Sequence, residues 1–509
     1  MNGFKISHFN GARGADELVI YNGVGNTETN AYGFEVCVVG DRVISCGKNN
    51  NIIPEGGYVA SGHGEAMQFL AANATVGAKA VIDGESGTFM LEIDETAKRI
   101  DADMQLSLIK SRYSERLSEG AEFDKTEAES LISKAEAAVG NGEYGLAKEL
   151  CEEAYYITAK SCRDEVRAVW HRPHEKSEEA VIATVTRLKD AGFNSILIET
   201  NYEGYANAQK CVHDFLPIRK GYEGGFDVID CFIKVCKREG VKIHCWFEDF
   251  FFGVEGHGCP IADIYPEYMA KRKDGGILHD AFDNFYFLNP ALPEVRELLL
   301  SLVKEILDNY DFDGFQLDYI RYPVIHGVDF SAGFDEYTKR EFLADSGIDI
   351  DKIPDTSCAD WKKFLDWRAA KVTEYVEAVR ELILEYRKNG RDIELSTAVF
   401  GDPVEAINLK CQNWQYWVKQ GWLDAIYPMA YLNDAEDVGS EVRYMVEKYG
   451  EAPNISGISP MYNKLPVIES TKQVEACRRA GAVGVAFFCA GNCTDIQLEK
   501  LKKGVFRDR

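Results

Sequence analysis

The segment 313–323 (DGFQLDYIRYP) groups several side chains that can do chemistry. Apolar residues alternate with Gln316 and Asp318, which is typical of a strand and places the Asp318 carboxyl near the end of that strand. Arg321 follows closely enough to pair with Asp318, to lower the pKa of its carboxyl and to keep it ionised, as a nucleophile must be. A purely structural Asp–Arg pair in a loop explains the same spacing equally well.

Polar residues also end the other strand-like segments of the chain. They are His171 and Arg172, Glu199 and Asn201, Glu248 and Asp249, Asp402, then Tyr427, Tyr431 and Asp434, and finally Tyr462 and Asn492. Cleavage of a glycosidic bond requires one carboxyl to protonate the departing oxygen and another to attack or stabilise the anomeric carbon, or to activate water. Aromatic, Arg and Asn side chains can then hold the sugar. This set of residues therefore predicts a glycoside hydrolase.

Eight strand-like segments, most of them separated by helical patterns, are expected to position these side chains. They are residues 166–170, 195–199, 242–247, 314–318, 394–399, 425–427, 454–458 and 484–488. The pattern predicts an α/β fold, a (β/α)8 TIM barrel, in which active sites lie at the C-terminal ends of the strands. An open doubly wound sheet is the rival fold, but no strand leads into a G-x-G-x-x-G turn or a P-loop.

Two regions precede the predicted barrel, which we place at residues 163–509. Residues 1–97 contain short strand-like runs joined by Gly-containing turns and predict a small β-rich domain. Residues 98–162 are rich in charged, helix-forming residues, with apolar residues at helical spacing. They predict a helical hairpin or spacer.

Charge and cysteine usage limit the expected partners. A formal net charge of −26 repels nucleic acid and anionic membranes, so neither is an expected partner. The charge by itself identifies no ligand, and the expectation of a carbohydrate partner comes from the predicted hydrolase chemistry. The 14 cysteines form no CxxC pair, and the absence of any H-x-H pair adds to the expectation of no metal and no cofactor. The N-terminus lacks the apolar core of a signal peptide and no run reaches the roughly 18 apolar residues of a membrane span, which favours a cytoplasmic protein.

Segment 313–323 resembles the signature of glycosyl-hydrolase-like family 10, a group of bacterial proteins. Other positions between about residues 165 and 490 resemble the family in the same order. They are 166–170 (VRAVW), 192–194 (GFN), 244–247 (HCWF), 288–290 (LNP) with 293–296 (PEVR), 361–368, and 424–431 (DAIYPMAY). The resemblance implies a TIM barrel that hydrolyses O-glycosidic bonds of a bacterial or dietary polysaccharide. The chain departs from a commoner form of the family at Met429, where Gln is usual.

The resemblance also implies roles for individual residues. An acidic nucleophile at the fourth strand of related barrels corresponds to Asp318, and the acid/base remains open between Glu248, Asp402 and Asp434, with Glu199 as a further candidate. The predicted catalytic residues are therefore Asp318, Glu248 and Asp402. The residues predicted to bind the sugar come from the strand ends and, for Trp246, from its alternation with Phe247. They are Glu199, Asn201, Trp246, Tyr319, Arg321, Tyr427, Tyr431 and His171.

The N-terminal region contains two segments that resemble motifs of phosphodiester-glycosidase-type domains. They are 27–33 (TETNAYG) and 53–64 (IPEGGYVASGHG). Because little else of such a domain matches, we interpret the region as a carbohydrate-binding or packing module without an activity of its own. On this interpretation, residues 61–64 form a turn that leads into a helix.

Two alternatives to the hydrolase remain open. In the first, the barrel binds carbohydrate without turnover, and Asp318 and Arg321 are structural. In the second, the chain is a metal-dependent hydrolase that uses Glu248, Asp249 and histidines, although their spacing is poor for metal ligands. Sugar binding without product release would indicate the first alternative, and loss of activity with a chelator would indicate the second.

Overall fold

The computed structural model describes residues 2–30, 32–279 and 284–507. Its N-terminal region is an eight-stranded sheet in the order β1-β8-β7-β5-β4-β6-β3-β2, packed against one helix. The elements are β1 (Asn2–Lys5), β2 (His8–Phe9), β3 (Leu18–Asn22), β4 (Phe34–Val39), β5 (Arg42–Cys46), β6 (Gly57–Gly62), α1 (Gly64–Asn73), β7 (Lys79–Asp83) and β8 (Thr88–Glu92). Leu18, Val36 and Leu70 belong to a hydrophobic core that this region forms by itself. A β-rich region therefore precedes the barrel, as predicted.

Three helices follow, one more than a hairpin requires: α2 (Glu95–Ser118), α3 (Lys125–Gly140) and α4 (Tyr144–Ile157). Asp94 and Asp124 are the N-cap residues of α2 and α3, and their carboxylates accept hydrogen bonds from backbone N–H groups of the first turn. Because α2 begins at Glu95, the predicted boundary at residue 97 falls within its first turn.

The remainder of the chain alternates strands and helices. Its strands are β9 (Val166–His171), β10 (Ser195–Glu199), β11 (Asn201–Tyr202), β12 (Tyr205–Ala206), β13 (Lys242–Glu248), β14 (Phe251–Val254), β15 (Leu278–His279), β16 (Phe285–Phe287), β17 (Gly314–Asp318), β18 (Glu394–Val399), β19 (Ala425–Pro428), β20 (Ile455–Ile458) and β21 (Gly484–Phe487). Its helices are α5 (Glu178–Asp190), α6 (Val228–Glu239), α7 (Pro260–Ile264), α8 (Pro293–Asn309), α9 (Glu336–Ser346), α10 (Ala359–Lys388), α11 (Pro403–Lys410), α12 (Trp414–Lys419), α13 (Ala435–Tyr449), α14 (Val467–Arg479) and α15 (Asp495–Lys503).

Eight parallel strands form the barrel in the order β9, β10, β13, β17, β18, β19, β20 and β21, and β21 pairs with β9. Parallel bridges from Ile426 to Asn454 and from Met429 to Gly457 connect β19 with β20 and close the ring. Each barrel strand coincides, within a residue at either end, with one of the predicted segments. The predicted (β/α)8 fold is confirmed.

Side chains alternate between the two faces of the barrel wall. Those that point outward pack beneath the helices in the largest hydrophobic core of the chain, whereas Trp170, Trp246 and Tyr427 fill the barrel interior. A side chain that keeps this inward alternation one or two residues beyond the C-terminal end of its strand therefore reaches the C-terminal mouth of the barrel. Among the described residues, no helix is both long enough and apolar enough to cross a membrane.

Candidate active site at the C-terminal end of the barrel

A cavity of about 140 Å³ opens at the C-terminal ends of the barrel strands. Its walls are mostly aromatic and come from Trp170, Trp246, Tyr319, Phe400, Tyr431 and Phe488. Its charged groups come from Asp318, Arg172 and Arg321. Asp318 is the acidic residue among the described residues that line this cavity. Aromatic faces beside a few charged groups suit a sugar, which has both apolar C–H faces and hydroxyls.

The Asp318 carboxylate is fixed at both oxygens. The indole Nε1 of Trp246 donates to its Oδ2 over 2.8 Å, and the backbone N–H of Tyr319 donates to its Oδ1 over 2.7 Å. Tyr319 has a φ of 49°, in the left-handed region, which is costly for a residue with a side chain and is frequent at functional sites. Asp318 is therefore a preorganised carboxylate at the cavity wall.

Burial raises the pKa of Asp318 above its ordinary value, although the Trp246 and Tyr319 donors and the charges of Arg321 and Arg172 oppose that rise. The sequence-based expectation that Arg321 would leave Asp318 with a lowered pKa is thus not met, because desolvation outweighs the nearby charges. The Arg321 guanidinium lies over the ring of Tyr319 at 5.1 Å and donates to the carbonyl of Tyr322 at 3.0 Å. It forms part of the cavity wall as a cation stacked on aromatic rings.

Two further predicted carboxyl groups lie behind Arg172, completely buried. The Arg172 Nε donates to Oε1 of Glu199 over 2.9 Å, and its guanidinium stacks over Tyr202, Trp246 and Phe488. Burial raises the pKa of Glu199 to about 7, against the opposing charge of Arg172. Glu199 therefore has a proton affinity suited to acid–base chemistry near neutral pH.

Glu248 stands beside Asp318 in the pairing of β13 with β17. Burial and the charge of Glu199 raise the pKa of Glu248 well above its ordinary value, while its Oε2 accepts a hydrogen bond of 3.0 Å from the N–H of Glu203. Among the described residues, Oε1 of Glu248 and Oε2 of Glu199 have no hydrogen-bond partner. Buried polar atoms without partners are rare, and here they lie beside a candidate catalytic group.

Asn201 and Tyr427, which we predicted to bind sugar, lie outside the lining of the cavity. The Asn201 side chain bonds both to the carbonyl of Glu248, at 2.8 Å, and to its N–H, at 3.2 Å, and so fixes the end of β13. Tyr427 is fully buried and packs edge-on against Trp170 with ring centroids 5.9 Å apart. Both residues position the cavity wall without lining the cavity.

Asp402 and His171 are placed elsewhere. Asp402 is exposed at the N-cap of α11, where its Oδ1 accepts from the N–H of Val404 and of Glu405 over 2.8 and 3.1 Å. His171 points outward from β9, and its Nε2 lies 3.1 and 3.2 Å from the two carboxylate oxygens of Glu175. Neither residue lines the cavity.

His171, His174 and Glu175 are nevertheless close enough to one another to be considered as metal ligands, with one ligand atom of each within 4.8 Å of the others. The hydrogen bond and charge of His171 hold the pKa of Glu175 at about 2, despite the burial that opposes this. The Nδ1 of His171 is buried without a partner in the described chain. The His171 Nε2 already lies within hydrogen-bond distance of both Glu175 oxygens, and the side chain of His174 is exposed. The geometry favours a His–Glu pair.

Several cavity residues were missing from the predicted site, namely Trp170, Arg172, Ala398, Phe400, Met429 and Phe488. Phe400 extends the inward series of Ser396 and Ala398, and Phe488 extends that of Gly484 and Ala486. The inward alternation of each strand, continued for one residue past its end, was the signal that would have identified them.

Comparison with known proteins agrees with this fold and places the chain in a family. Glycosyl hydrolase YngK of Bacillus subtilis (strain 168) is 21% identical over 311 residues, which make up 54% of this chain and 56% of that protein. Glycosyl hydrolase DigH of Escherichia coli (strain K12) is 22% identical over 269 residues, which make up 50% of this chain and 58% of that protein. The chain thus spans little more than half the length of either relative.

A solved structure, the glycoside hydrolase domain of PgaB (BpsB) from Bordetella bronchiseptica, superposes with a TM-score of 0.54 and 13% identity. The superposition covers 68% of this chain and 100% of that domain, and it supports the barrel fold. A family model described as glycosyl hydrolase-like 10 matches residues 165–449, more than half of the chain. The family predicted from segment 313–323 is confirmed, and the chain belongs to the glycosyl hydrolase-like 10 family.

Proposed function

We propose that the barrel hydrolyses O-glycosidic bonds of an oligo- or polysaccharide and that Asp318 is the carboxylate that acts on the anomeric carbon. One observation carries the proposal: Asp318 lines an aromatic-walled cavity at the end of the barrel where such enzymes place their active sites. Two donors fix its oxygens, so the carboxylate needs little reorganisation as positive charge develops on the sugar. The glycosidase-type family supports this assignment.

The proton for the leaving oxygen comes, in this proposal, from the pair formed by Glu199 and Glu248. Burial raises the pKa of both carboxyl groups, and the charge of Glu199 raises that of Glu248 further. Each has a carboxyl oxygen without a partner among the described residues. Like charges in one buried site disfavour double ionisation, so the pair retains a proton near neutral pH. Arg172 separates this pair from the cavity and lines the cavity itself. A bound sugar that displaces the Arg172 side chain would connect the two.

The sugar ring is held by the aromatic walls. Tyr431 and Phe488 lie 5.4 Å apart between centroids, and Trp246 faces Phe488 at 6.3 Å. These rings contact one another and form a continuous aromatic wall. A pyranose stacked against this wall would place its anomeric carbon toward Asp318, while Arg321 would contact its oxygens. Asp402 has no role in this proposal, because it caps a helix at an exposed position.

The proposal is tested by reducing-sugar release from a broad panel of bacterial and plant glycans. The native protein should release sugar from one class, and Asp318→Asn should lose at least about a hundredfold in rate. Asp402→Asn is the matched control: it makes the same chemical change at an exposed N-cap, where Asn serves as well as Asp, and should retain activity. Release that survives Asp318→Asn would refute the role of Asp318.

A second candidate function is a barrel that binds carbohydrate without cleaving it. The enclosure of Glu199 and Glu248 behind Arg172 favours it, because neither carboxyl reaches the cavity in this conformation. Binding of a glycan without release of product by the native protein would establish that function.

For either function, we propose that residues 1–97, 98–162 and 163–509 form three separate domains.

A further inference from the structure

A second polar cleft lies in the N-terminal β-rich region, outside the residues matched by the family. It measures about 570 Å³ and is lined by the loops on either side of β3. This volume lies within the range of roughly 300–1,000 Å³ that is usual for small-molecule sites. The cleft borders the first of the two N-terminal motifs, residues 27–33, of which Ala31 lies outside the described residues.

Arg13 joins the two motifs at the edge of this cleft. Its Nη1 donates to Oγ of Ser61 over 2.8 Å and its Nη2 to Oδ1 of Asn30 over 2.9 Å. A Cβ at Gly33 would lie only 2.1 Å from the Arg13 Nη1, so the glycine makes room for the guanidinium. The residues that gave the N-terminal resemblance thus build one structure around a half-buried cation.

Glu35 completes that structure from beneath. It is fully buried, and its Oε1 accepts from Thr27, Thr29 and Ser61 over 2.7 to 3.0 Å. Its Oε2 accepts from the N–H and the side-chain amide of Asn51 over 3.0 and 2.8 Å. A buried carboxylate with this many donors is well satisfied, so it holds the floor of the cleft rigid.

At the rim of the cleft lie three Asn side chains in which only one of the two polar atoms of the amide group has a hydrogen-bond partner within the described residues. Asn22 Oδ1 accepts from Asn10 over 2.8 Å, Asn26 Nδ2 donates to Asn50 over 2.8 Å, and Asn30 Oδ1 is the acceptor for Arg13. Each amide is therefore oriented by the protein at one end. In the part of the chain that the structure describes, the Nδ2 of Asn22, the Oδ1 of Asn26 and the Nδ2 of Asn30 have no hydrogen-bond partner. The cleft therefore has two donors and one acceptor at exposed positions.

We propose that this cleft is a second saccharide-binding site that takes a neutral oligosaccharide without cleaving it. Fixed amide donors and acceptors match sugar hydroxyls, which act as both acceptor and donor. Val24 and Ile53 add an apolar surface for the C–H face of a sugar ring. The inference rests on the proposed function only in its choice of a carbohydrate as the ligand. A second binding site on the same chain would raise the local concentration of that glycan near the barrel.

A neutral ligand fits better than an anion. The Arg13 amino groups are already engaged by Ser61, Asn30, the Asn49 side chain and the carbonyl of Gly62. The buried Glu35 is connected to Arg13 by two hydrogen bonds through the Ser61 hydroxyl, and its carboxylate offsets the charge of the guanidinium. Arg13 therefore holds the loops together through its hydrogen bonds, and it should bind an incoming anion only weakly.

The test is hydrogen–deuterium exchange of the intact chain with three hexasaccharides: β-1,4-linked glucose, β-1,4-linked N-acetylglucosamine, and anionic α-1,4-linked galacturonate. We expect a neutral hexasaccharide to protect residues 10–30. The double variant Asn22→Asp/Asn30→Asp keeps both internal acceptors and removes both free donors. It should lose that protection and at least about tenfold in affinity. The Asp318→Asn variant should retain it, because the cleft does not depend on hydrolysis.

Three outcomes would overturn the proposal. No protection of residues 10–30 by either neutral hexasaccharide, or protection that the double variant retains, would show that the cleft is not this site. Protection by galacturonate alone would show an anion site instead. If a neutral hexasaccharide protects residues 10–30 but the native protein hydrolyses no glycan, the proposed hydrolase is refuted and this inference stands. The failure of one proposal can therefore be distinguished from the failure of the other.

Discussion

The indole N–H of Trp246 and the Oδ2 of Asp318 are joined by a hydrogen bond of 2.8 Å, so a wall of the cavity also fixes its carboxylate. The two residues lie on neighbouring strands, with Trp246 beside Gln316 in the pairing of β13 with β17. The ring that would contact the sugar therefore also helps to orient the Asp318 carboxylate and opposes the rise in its pKa that burial causes.

Replacement of that donor should change the pH dependence of activity. Trp246→Phe keeps an aromatic ring but removes the hydrogen bond that lowers the pKa of Asp318, so that pKa rises further. Because Asp318 must be ionised, the acid limb of the kcat/KM profile should move to higher pH, with about a tenfold loss of activity at neutral pH. Trp170→Phe is the control, since the Trp170 indole donates to Gln316 at 2.7 Å and not to a carboxylate. An unmoved acid limb in Trp246→Phe would contradict the assignment.

The buried Glu199 should make stability depend on pH. Its pKa is about 7 in the folded protein against an ordinary 4.5, so the folded state binds a proton that the unfolded chain has released. The contribution of Glu199 to folding stability is therefore present below about pH 4.5 and is lost as the pH rises through about 7, by up to about 3 kcal/mol.

Urea unfolding of native protein and Glu199→Gln at about pH 5 and about pH 8 measures this effect. The free energy of unfolding of the native protein relative to the variant should fall between the two pH values. A constant difference would show that Glu199 is ionised throughout and would remove it from the proton-carrying pair.

An ion pair between α2 and α14 should contribute strongly to stability. Both amino groups of Arg112 contact the Glu475 carboxylate, at 2.9 and 2.8 Å, and Arg116 adds a contact at 3.3 Å. All three side chains are buried. Glu475→Gln would leave the buried Arg112 guanidinium without its counter-charge, whereas Arg116 keeps its ion pair with Glu119 at 3.0 Å. Loss of that charge should cost about 3–5 kcal/mol of unfolding free energy.

Glu469→Gln on the same helix is the control for that measurement. Glu469 pairs with Lys472, whose side chain is 37% exposed, and the substitution should cost no more than about 1 kcal/mol. Equal losses in the two variants would show that the helical region does not depend on the buried pair.

The sequence predicted the barrel well because its signal is local. Each strand is a short apolar run, and the helices between them carry one apolar face, as in α8 with Val295, Leu299 and Leu302 buried. The same alternation placed Asp318 near the end of its strand and placed Trp246 on the face opposite Phe247, and both Asp318 and Trp246 line the cavity.

The loops beyond the strands were predicted less well, because a loop side chain can point toward the barrel axis or away from it. Asp402 precedes Pro403, and Asp at an N-cap with Pro at the first helical position is a helix-start signal that competes with a catalytic interpretation. The pKa of Asp318 depends on how deeply the protein buries its carboxyl group. The spacing of residues in the sequence does not reveal that burial. Arg321 alone could therefore not decide the sign of that shift.

The most direct measurement compares hydrolysis and binding of one glycan by native protein and Asp318→Asn. We predict that kcat falls at least about a hundredfold while the dissociation constant changes by less than about tenfold, because Asp318 acts in the transition state and the aromatic walls hold the ground state. Equal kcat in the two proteins, or binding without hydrolysis by the native protein, would contradict catalysis by Asp318.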